Sequence, residues 1–297
     1  MRLRLREATI ELSGGEPLLM GIVNANPDSF SDAVRLDTLG GQVEHALALV
    51  ADGAAIIDVG GESGVTYTGA SAEDVEAERV VPLVRRLVDA GVTVSVDTWK
   101  ASVAERALDA GAHIVNDTSG LADPRIAELC AASGAALVVM HTRAAPKQVG
   151  FPDYGGDVRG DVLRFLDERL RIARDRGVAD EQLIVDPGPD FAKTPAESVE
   201  VLADLEALHA LGRPILAAIS RKYFVGAISG RPPHERLAGT LAALGEAADA
   251  GAAILRVHDV RDAADFLAVR AVLRGERPMP DFDAGDERLK WLRSGEE

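Results

Sequence analysis

Cysteine is almost missing from this chain. Its one copy, Cys130, lies in the helix-like stretch ADPRIAELCAASG. No intramolecular disulfide can form, so a reducing cytoplasm is the expected compartment, and Cys130 itself is expected to be a small buried core residue. Cations are also scarce: 32 Lys and Arg stand against 48 Asp and Glu, a formal charge of −16. No dense basic block interrupts that balance, which excludes a nucleic acid or an anionic membrane as the expected partner. No apolar run reaches membrane-spanning length, and the opening MRLRLREATIELSGG lacks the apolar core and cleavage site of a secretion signal. Glycine-rich phosphate loops of the G-x-G-x-x-G and G-x-x-x-x-G-K-[ST] types are absent, as are His-x-His pairs, Cys/His clusters and a nucleophile elbow. Dinucleotide binding, P-loop chemistry, zinc hydrolysis and serine-type acyl transfer therefore have no sequence support. One further shortage is local: DVGGESGVTYTGA, Asp58 to Ala70, carries no cation.

What is present is a repeated phrase. A helical pattern closes on Gly-Ala or Gly-Val, and a short β-branched run follows that ends abruptly in polar residues. It occurs as DGAAIIDVGGE, AGVTVSVDT, AGAHIVNDTSG, SGAALVVMHT and AGAAILRVHDV. The glycine suits the left-handed position after a helix, and the run suits a strand buried on both faces. LLMGIVNANPDSF, QLIVDPGPDF and PILAAISRK share the ending and bring the total to eight strands. Amphipathic segments such as SAEDVEAERVVPLVRRLVDA, RGDVLRFLDERLRIARDRG and PPHERLAGTLAALGEAADA lie between them. Eight such alternations predict an α/β protein, a (β/α)8 TIM barrel formed as one domain. The barrel is expected over residues 18–274, with an N-terminal hairpin extension over 1–17 closing its bottom and a polar tail over 275–297.

In that fold the strand ends wall one pocket. They offer Asn24; Asp58 and Glu62; Asp97; Asn116 and Asp117; Met140 and His141; Asp186; Ser220, Arg221 and Lys222; and Arg256, His258 and Asp259. Side chains alternate along a strand, so about half of these face away from the pocket. Asp97, Asn116 and Asp186 together suit a flat heterocycle with amino and ring N–H donors, because each buried donor needs a fixed acceptor. The blander alternative is a polar plug whose members satisfy one another. Lys222, Arg256 and His258 form a basic side suited to an anion, or else salt bridges to Asp186 or Asp259. Asn24 offers an amide oxygen to a divalent cation such as Mg²⁺ bridging phosphates.

In order along the chain, MGIVNANPDSFSD, IIDVGGES, SVDT, IVNDTSG, MHT, DPGPDFAK, SRK with Gly226 following, and RVHDV resemble the dihydropteroate synthase family, one segment per strand over nearly the whole chain. The resemblance implies condensation of a pterin carrying a CH₂-pyrophosphate with 4-aminobenzoate, giving dihydropteroate and pyrophosphate. By motif, it implies that Asp97, Asn116, Asp186 and Lys222 hold the pterin beside Met140, with Arg256 across its face. It also implies that Asn24 with Mg²⁺, and the Arg256/His258 end, hold the pyrophosphate, and that Phe30, Phe191 and Lys222 line the aminobenzoate channel. Asp97, Asp186, Lys222, Arg256 and His258 are then the expected catalytic groups, and a homodimer through the later helices is expected.

The chain departs from the family pattern on the second-substrate side. ESGVTYTG stands where ESTRPG is usual, without its Arg and Pro; Asn26, Ala33 and Val34 alter the first loop. Pro189 and Asp190 replace an aromatic and a glycine, Trp99 is bulkier than usual, and Tyr223 follows Lys222. Arg35, Arg143 and Lys147 are candidates for the missing cation. Three readings stay open: a working synthase, a paralogue that binds a pterin but uses another acceptor or none, and a pterin-dependent methyl-transfer module. The intact SRK and RVHDV segments count against the last.

Overall fold

Five times a helix hands the chain to a strand through a glycine in the left-handed region: Gly53 (φ +113°), Gly91 (+78°), Gly111 (+102°), Gly134 (+74°) and Gly251 (+78°). These are the glycines of the repeated phrase, and side chains with a Cβ rarely adopt this backbone. The computed structural model describes residues 1–12, 15–25, 38–62, 69–148, 150–281 and 286. Over these the chain begins with β1 (Arg2–Leu5) and β2 (Ala8–Glu11), an antiparallel hairpin. Then follow β3 (Leu18–Asn24), α1 (Leu39–Ala51), β4 (Ile56–Gly60), α2 (Glu73–Asp89), β5 (Val94–Asp97), α3 (Ala101–Asp109), β6 (Ile114–Asp117), α4 (Arg125–Ser133) and β7 (Ala136–Met140). The remainder is α5 (Val158–Asp175), β8 (Leu183–Asp186), α6 (Pro195–Leu202), β9 (Leu216–Ala218), α7 (Tyr223–Ser229), α8 (Leu237–Asp249), β10 (Ile254–Val257) and α9 (Val260–Leu273).

Strands β3 to β10 form one parallel sheet in the order β8-β7-β6-β5-β4-β3-β10-β9. Its two ends meet through a parallel bridge between Val185 and Ile215, with Val185 N–H donating to Pro214 O at 3.0 Å. The result is the (β/α)8 barrel expected from the sequence.

Period two divides each strand between two environments. Outward-facing residues such as Ile57, Val59, Val96, Val115, Leu137, Val139 and Val185 pack in the main core with helix residues such as Leu83, Leu87 and Leu166. Inward-facing residues Met20, Ile56, Ile114, Val138, Ile184, Leu216 and Ile254 form a separate inner cluster, completed by Leu3 and Leu5 of the hairpin. The hairpin therefore closes the barrel bottom. Burying each of those two leucines contributes about 1.5–3 kcal/mol. Two residues further along the same inner faces come Asp58, Asn116, Met140, Asp186 and Arg256: the apolar plug gives way to a polar cup.

One helix differs from its sequence reading. PPHERLAGTLAALGEAADA is not continuous, because a single 3₁₀ turn, Pro233–Glu235, precedes α8. Pro232 and Pro233 have no N–H to give, and Arg236 turns back to donate through Nη1 to Arg221 O at 2.9 Å and Lys222 O at 3.2 Å. Cys130 is fully buried, and burial pushes its thiol pKa up.

Candidate active site

Arg256, at the carboxyl end of β10, forks across the barrel mouth. Its Nε donates to Asp58 Oδ2 at 2.6 Å and its Nη2 to Asp97 Oδ2 at 2.9 Å. Asn116 Nδ2 donates to the same Asp58 oxygen at 3.1 Å. Asp97 and Asn116 are register partners on neighbouring strands, which sets them at one depth. Two buried oxygens in this cup, Asp58 Oδ1 and Asn116 Oδ1, have no hydrogen-bond partner among the described residues. An unpaired buried acceptor costs about 1–3 kcal/mol, so the cup is not a self-satisfied plug.

Asp58 is the residue that sequence reasoning missed. It appears among the strand endings above without a role, yet it is fully buried and receives both Arg256 and Asn116. Its spacing of two from the inward Ile56 was the available signal.

Asp186 closes the opposite wall, with Met140 as its register partner. Its Oδ1 accepts from Gly188 N at 2.7 Å. Gly188 has φ +61°, and a Cβ there would sit 2.2 Å from His141 O, so the turn that fixes Asp186 requires glycine. Lys222 stands just before α7 with Nζ 4.3 Å from the centroid of the Phe191 ring. His258 Nδ1 lies 3.0 Å from Ser220 Oγ. Asn24 ends β3, half-buried, paired in register with Gly60. Phe30, Arg35, Asn26, Ala33, Val34 and the altered stretch 63–68 lie outside the described residues.

Burial raises the Asp97 carboxyl to about 7, with Asp58 and Glu76 adding to the rise and Arg256 opposing it. Its side chain keeps 23% of its surface exposed, yet the surrounding protein still makes desolvation the dominant cause. Burial raises Asp186 as well, against Gly188 N–H and Lys222. The same burial lowers Lys222, opposed by Asp190 and Asp186. His258 falls to about 3, through burial and then the charges of Arg221 and Arg256, so it is neutral at pH 7.

Other strand-end groups turn away from the cup and build its supports. Asp117 accepts from the N–H groups of Ser119 and Leu121, both at 2.8 Å. Arg221 pairs with Asp259, Nη2 to Oδ1 at 2.5 Å. His141 sits between Asp161, 3.0 Å from Nε2, and Lys193, whose Nζ is 2.7 Å from Nδ1. Lys193 is 1% exposed and also donates to Gly188 O at 2.9 Å and Phe191 O at 3.2 Å, holding the loop that carries Phe191. Nothing in the sequence distinguished it from a surface lysine. At the base of the second loop, Lys100 Nζ bonds Glu62 at 2.8 Å, Glu76 at 2.6 Å and Ser71 O at 2.7 Å.

Beside the cup opens a cavity of about 230 Å³ whose wall includes Glu62, Asp97, Trp99, Thr142, Lys147, Phe151, Asp190, Phe191 and Tyr223. Three departures from the family pattern, Trp99, Asp190 and Tyr223, thus meet in one place. Of the candidate cations, Arg143 is held on Asp161, Nε to Oδ2 at 2.9 Å, whereas Lys147 lines the cavity 3.4 Å from Glu62.

The pterin binding enzyme family model matches residues 20–258. A dihydropteroate synthase of Bacillus subtilis (strain 168) is 43% identical over 249 residues, 83% of this chain and 85% of that one. The structure of Xanthomonas albilineans dihydropteroate synthase with 4-aminobenzoic acid has a TM-score of 0.84 at 38% identity, covering 94% of this chain and 99% of that one. The same enzyme in complex with 7,8-dihydropteroate gives 0.82 at 38% identity, covering 94% and 100%. A match that runs from β3 to the end of β10, and relatives covered over most of their length, place the conclusion beyond the barrel alone: the chain belongs to the dihydropteroate synthase family of pterin-binding enzymes.

Proposed function

We propose that the barrel mouth condenses 6-hydroxymethyl-7,8-dihydropterin pyrophosphate with 4-aminobenzoate, forming the C–N bond of dihydropteroate, breaking the C–O bond to pyrophosphate and releasing one proton. The observation that carries this reading is the cup itself. Asp58 Oδ1 and Asn116 Oδ1 are buried and unpaired, and Asp97 and Asp186 add carboxylates, so the cup matches a flat ring rich in N–H donors. Arg256 holds Asp58 and Asp97 in place and lends its planar guanidinium to the ring's face. As pyrophosphate departs, positive charge develops on the methylene, and the carboxylates of the cup stabilise it. Neutral His258, with Nδ1 engaged by Ser220, keeps Nε2 available to donate to the leaving oxygen. Phe191 and Lys222 border the side from which the arylamine approaches. Fixing the amine against that methylene supplies orientation rather than a covalent enzyme intermediate.

Asn24 fits a magnesium ion that arrives with the pyrophosphate. It offers one amide oxygen, and the described residues contain no cluster of three His, Cys, Asp or Glu that would hold a resident ion. Bound there, the ion would neutralise charge on the leaving group. A homodimer is supported by large apolar side chains left exposed on the late helices: Ile228 of α7 at 73%, Val269 of α9 at 60% and Leu273 at 82%. A cytoplasmic location is supported by the use of a single cysteine, Cys130, which is buried. Among the described residues, no helix is long and apolar enough to cross a membrane.

Purified protein supplied with the pterin pyrophosphate, Mg²⁺ and 4-aminobenzoate should release one pyrophosphate per dihydropteroate formed. Tight pterin binding without release would instead favour the paralogue reading, which the clustering of Trp99, Asp190 and Tyr223 around the second cavity also supports.

Asp97 sets an expected pH dependence. Its pKa in the ligand-free protein is about 7, and the ionised form accepts ring N–H donors with both oxygens, whereas protonation turns one of them into a donor. Pterin affinity should therefore rise with pH up to about 7 and then level, falling about tenfold per unit on the acid side, with proton release on binding near neutrality. The linked effect on folding has the opposite sign: the protonated form stabilises the folded chain, and that contribution is lost as pH rises through about 7. Calorimetric titrations from pH 5.5 to 8.5 read both the slope and the proton count. A flat profile in the wild type, or an unchanged slope in Asp97→Asn, would contradict the assignment.

A further inference from the structure

The second cavity carries an unusual charge balance. It reaches Asp97 of the cup and Phe191 beneath Lys222, so an acceptor amine resting in it lies beside the reacting side of the pterin. Three carboxylates line it. Glu62 is matched by Lys100 and Lys147, and Asp97 by Arg256. Asp190 is different: among the described residues no Lys or Arg forms an ion pair with it. Its carboxylate accepts from the backbone N–H of Tyr223 and, at 3.3 Å, from that of Phe224. Its own N–H donates to the buried Ser198 Oγ at 2.9 Å, and its backbone sits at φ +66°. The side chain is thus pinned at both ends in a conformation that costs a non-glycine residue energy, and its charge acts on Lys222. This chain thus places a fixed negative charge on the acceptor's path.

We infer that Asp190 is a specificity-determining residue that disfavours a carboxylate on the acceptor, so that this chain holds 4-aminobenzoate less tightly than an uncharged arylamine of the same shape. The inference rests on the condensation proposed above. Its physical basis is like-charge repulsion in a partly desolvated wall, together with the sharing of Lys222 between Asp190 and any incoming anion. Lys147, tied to Glu62, offsets only part of it.

The test compares 4-aminobenzoate with 4-aminobenzamide in the wild type, Asp190→Asn and Asp190→Gly. Asn keeps an oxygen acceptor and tolerates the left-handed backbone; Gly is at ease there. Both variants should raise kcat/KM for the benzoate relative to the benzamide by about tenfold, the ratio expected when one like charge is removed. Damage to the loop would depress both amines together and leave the ratio alone. An unchanged ratio in both variants, or a shift toward the benzamide, would overturn the proposal. Affinities of the two amines for the pterin-loaded protein provide a second reading that needs no turnover. If neither amine is condensed while the affinities still shift by variant as described, the condensation reading fails and the role of Asp190 stands. Equal affinities across all three proteins, or no binding of either amine, overturn it.

Discussion

Asp186→Ala is expected to weaken pterin binding about a thousandfold, equivalent to the loss of two charge-assisted hydrogen bonds from ring donors left in a buried wall. It should do so with far less effect on the fold. Burial raises the pKa of Asp186, which means that its ionised form is held at a cost to the folded state. The raised acid stabilises the folded chain below its unfolded pKa, and that contribution disappears as pH rises through the folded value. Above that folded value, removing the carboxylate relieves the burial cost while leaving the Gly188 N–H without its acceptor, so the melting temperature should change far less than the affinity. Calorimetric titration with the pterin, beside a thermal melt, separates the two effects. Retained affinity would show that Asp186 merely fills the barrel mouth.

Arg256→Met should do the reverse to the fold. Asp58 is fully buried and Asp97 largely so, and both lose the guanidinium they are paired with. Stranding one buried carboxylate costs on the order of 3 kcal/mol, so a clear drop in melting temperature is expected. Turnover should fall about a thousandfold, because the ring loses its cover and the two carboxylates lose their common anchor. Arg256 also holds the Asp97 pKa down, so the acid limb of pterin binding should move above pH 7 in the variant. Adding Asp58→Asn to Arg256→Met should recover stability but not turnover. A melting temperature unaffected by Arg256→Met would mean that water screens these pairs far more than their burial implies.

Much of this arrangement was legible from local pattern. The five glycines announced the helix ends because only a left-handed residue can turn a helix directly into a buried strand, and the abrupt change from β-branched to polar residues marked each strand's mouth. Asp97, Asn116 and Asp186 stood out for the same reason. Partners were not legible. Asp58 acquires its role from Arg256, 198 residues away, and only barrel closure brings them together. Lys193 and Lys100 had no role legible in the sequence, since nothing adjacent indicates Gly188 O, His141, Glu62 or Glu76 as neighbours. The departures at Trp99, Asp190 and Tyr223 pointed to the second-substrate side, and β5, β8 and β9 deliver them to one cavity. The break before α8 follows from Arg236 bonding carbonyls on the loop after β9, a tertiary contact that periodicity does not carry.

The central claim is that the inward-facing residues at the strand ends form a seat for a flat, donor-rich ring. A crystal soaked with the pterin pyrophosphate tests it most directly. The expected result is the ring lying across Arg256, with N–H donors on Asp97 and Asp186 and with Asp58 Oδ1 or Asn116 Oδ1 newly paired. A ring bound elsewhere at saturating ligand, with those two oxygens still unpaired, would contradict it.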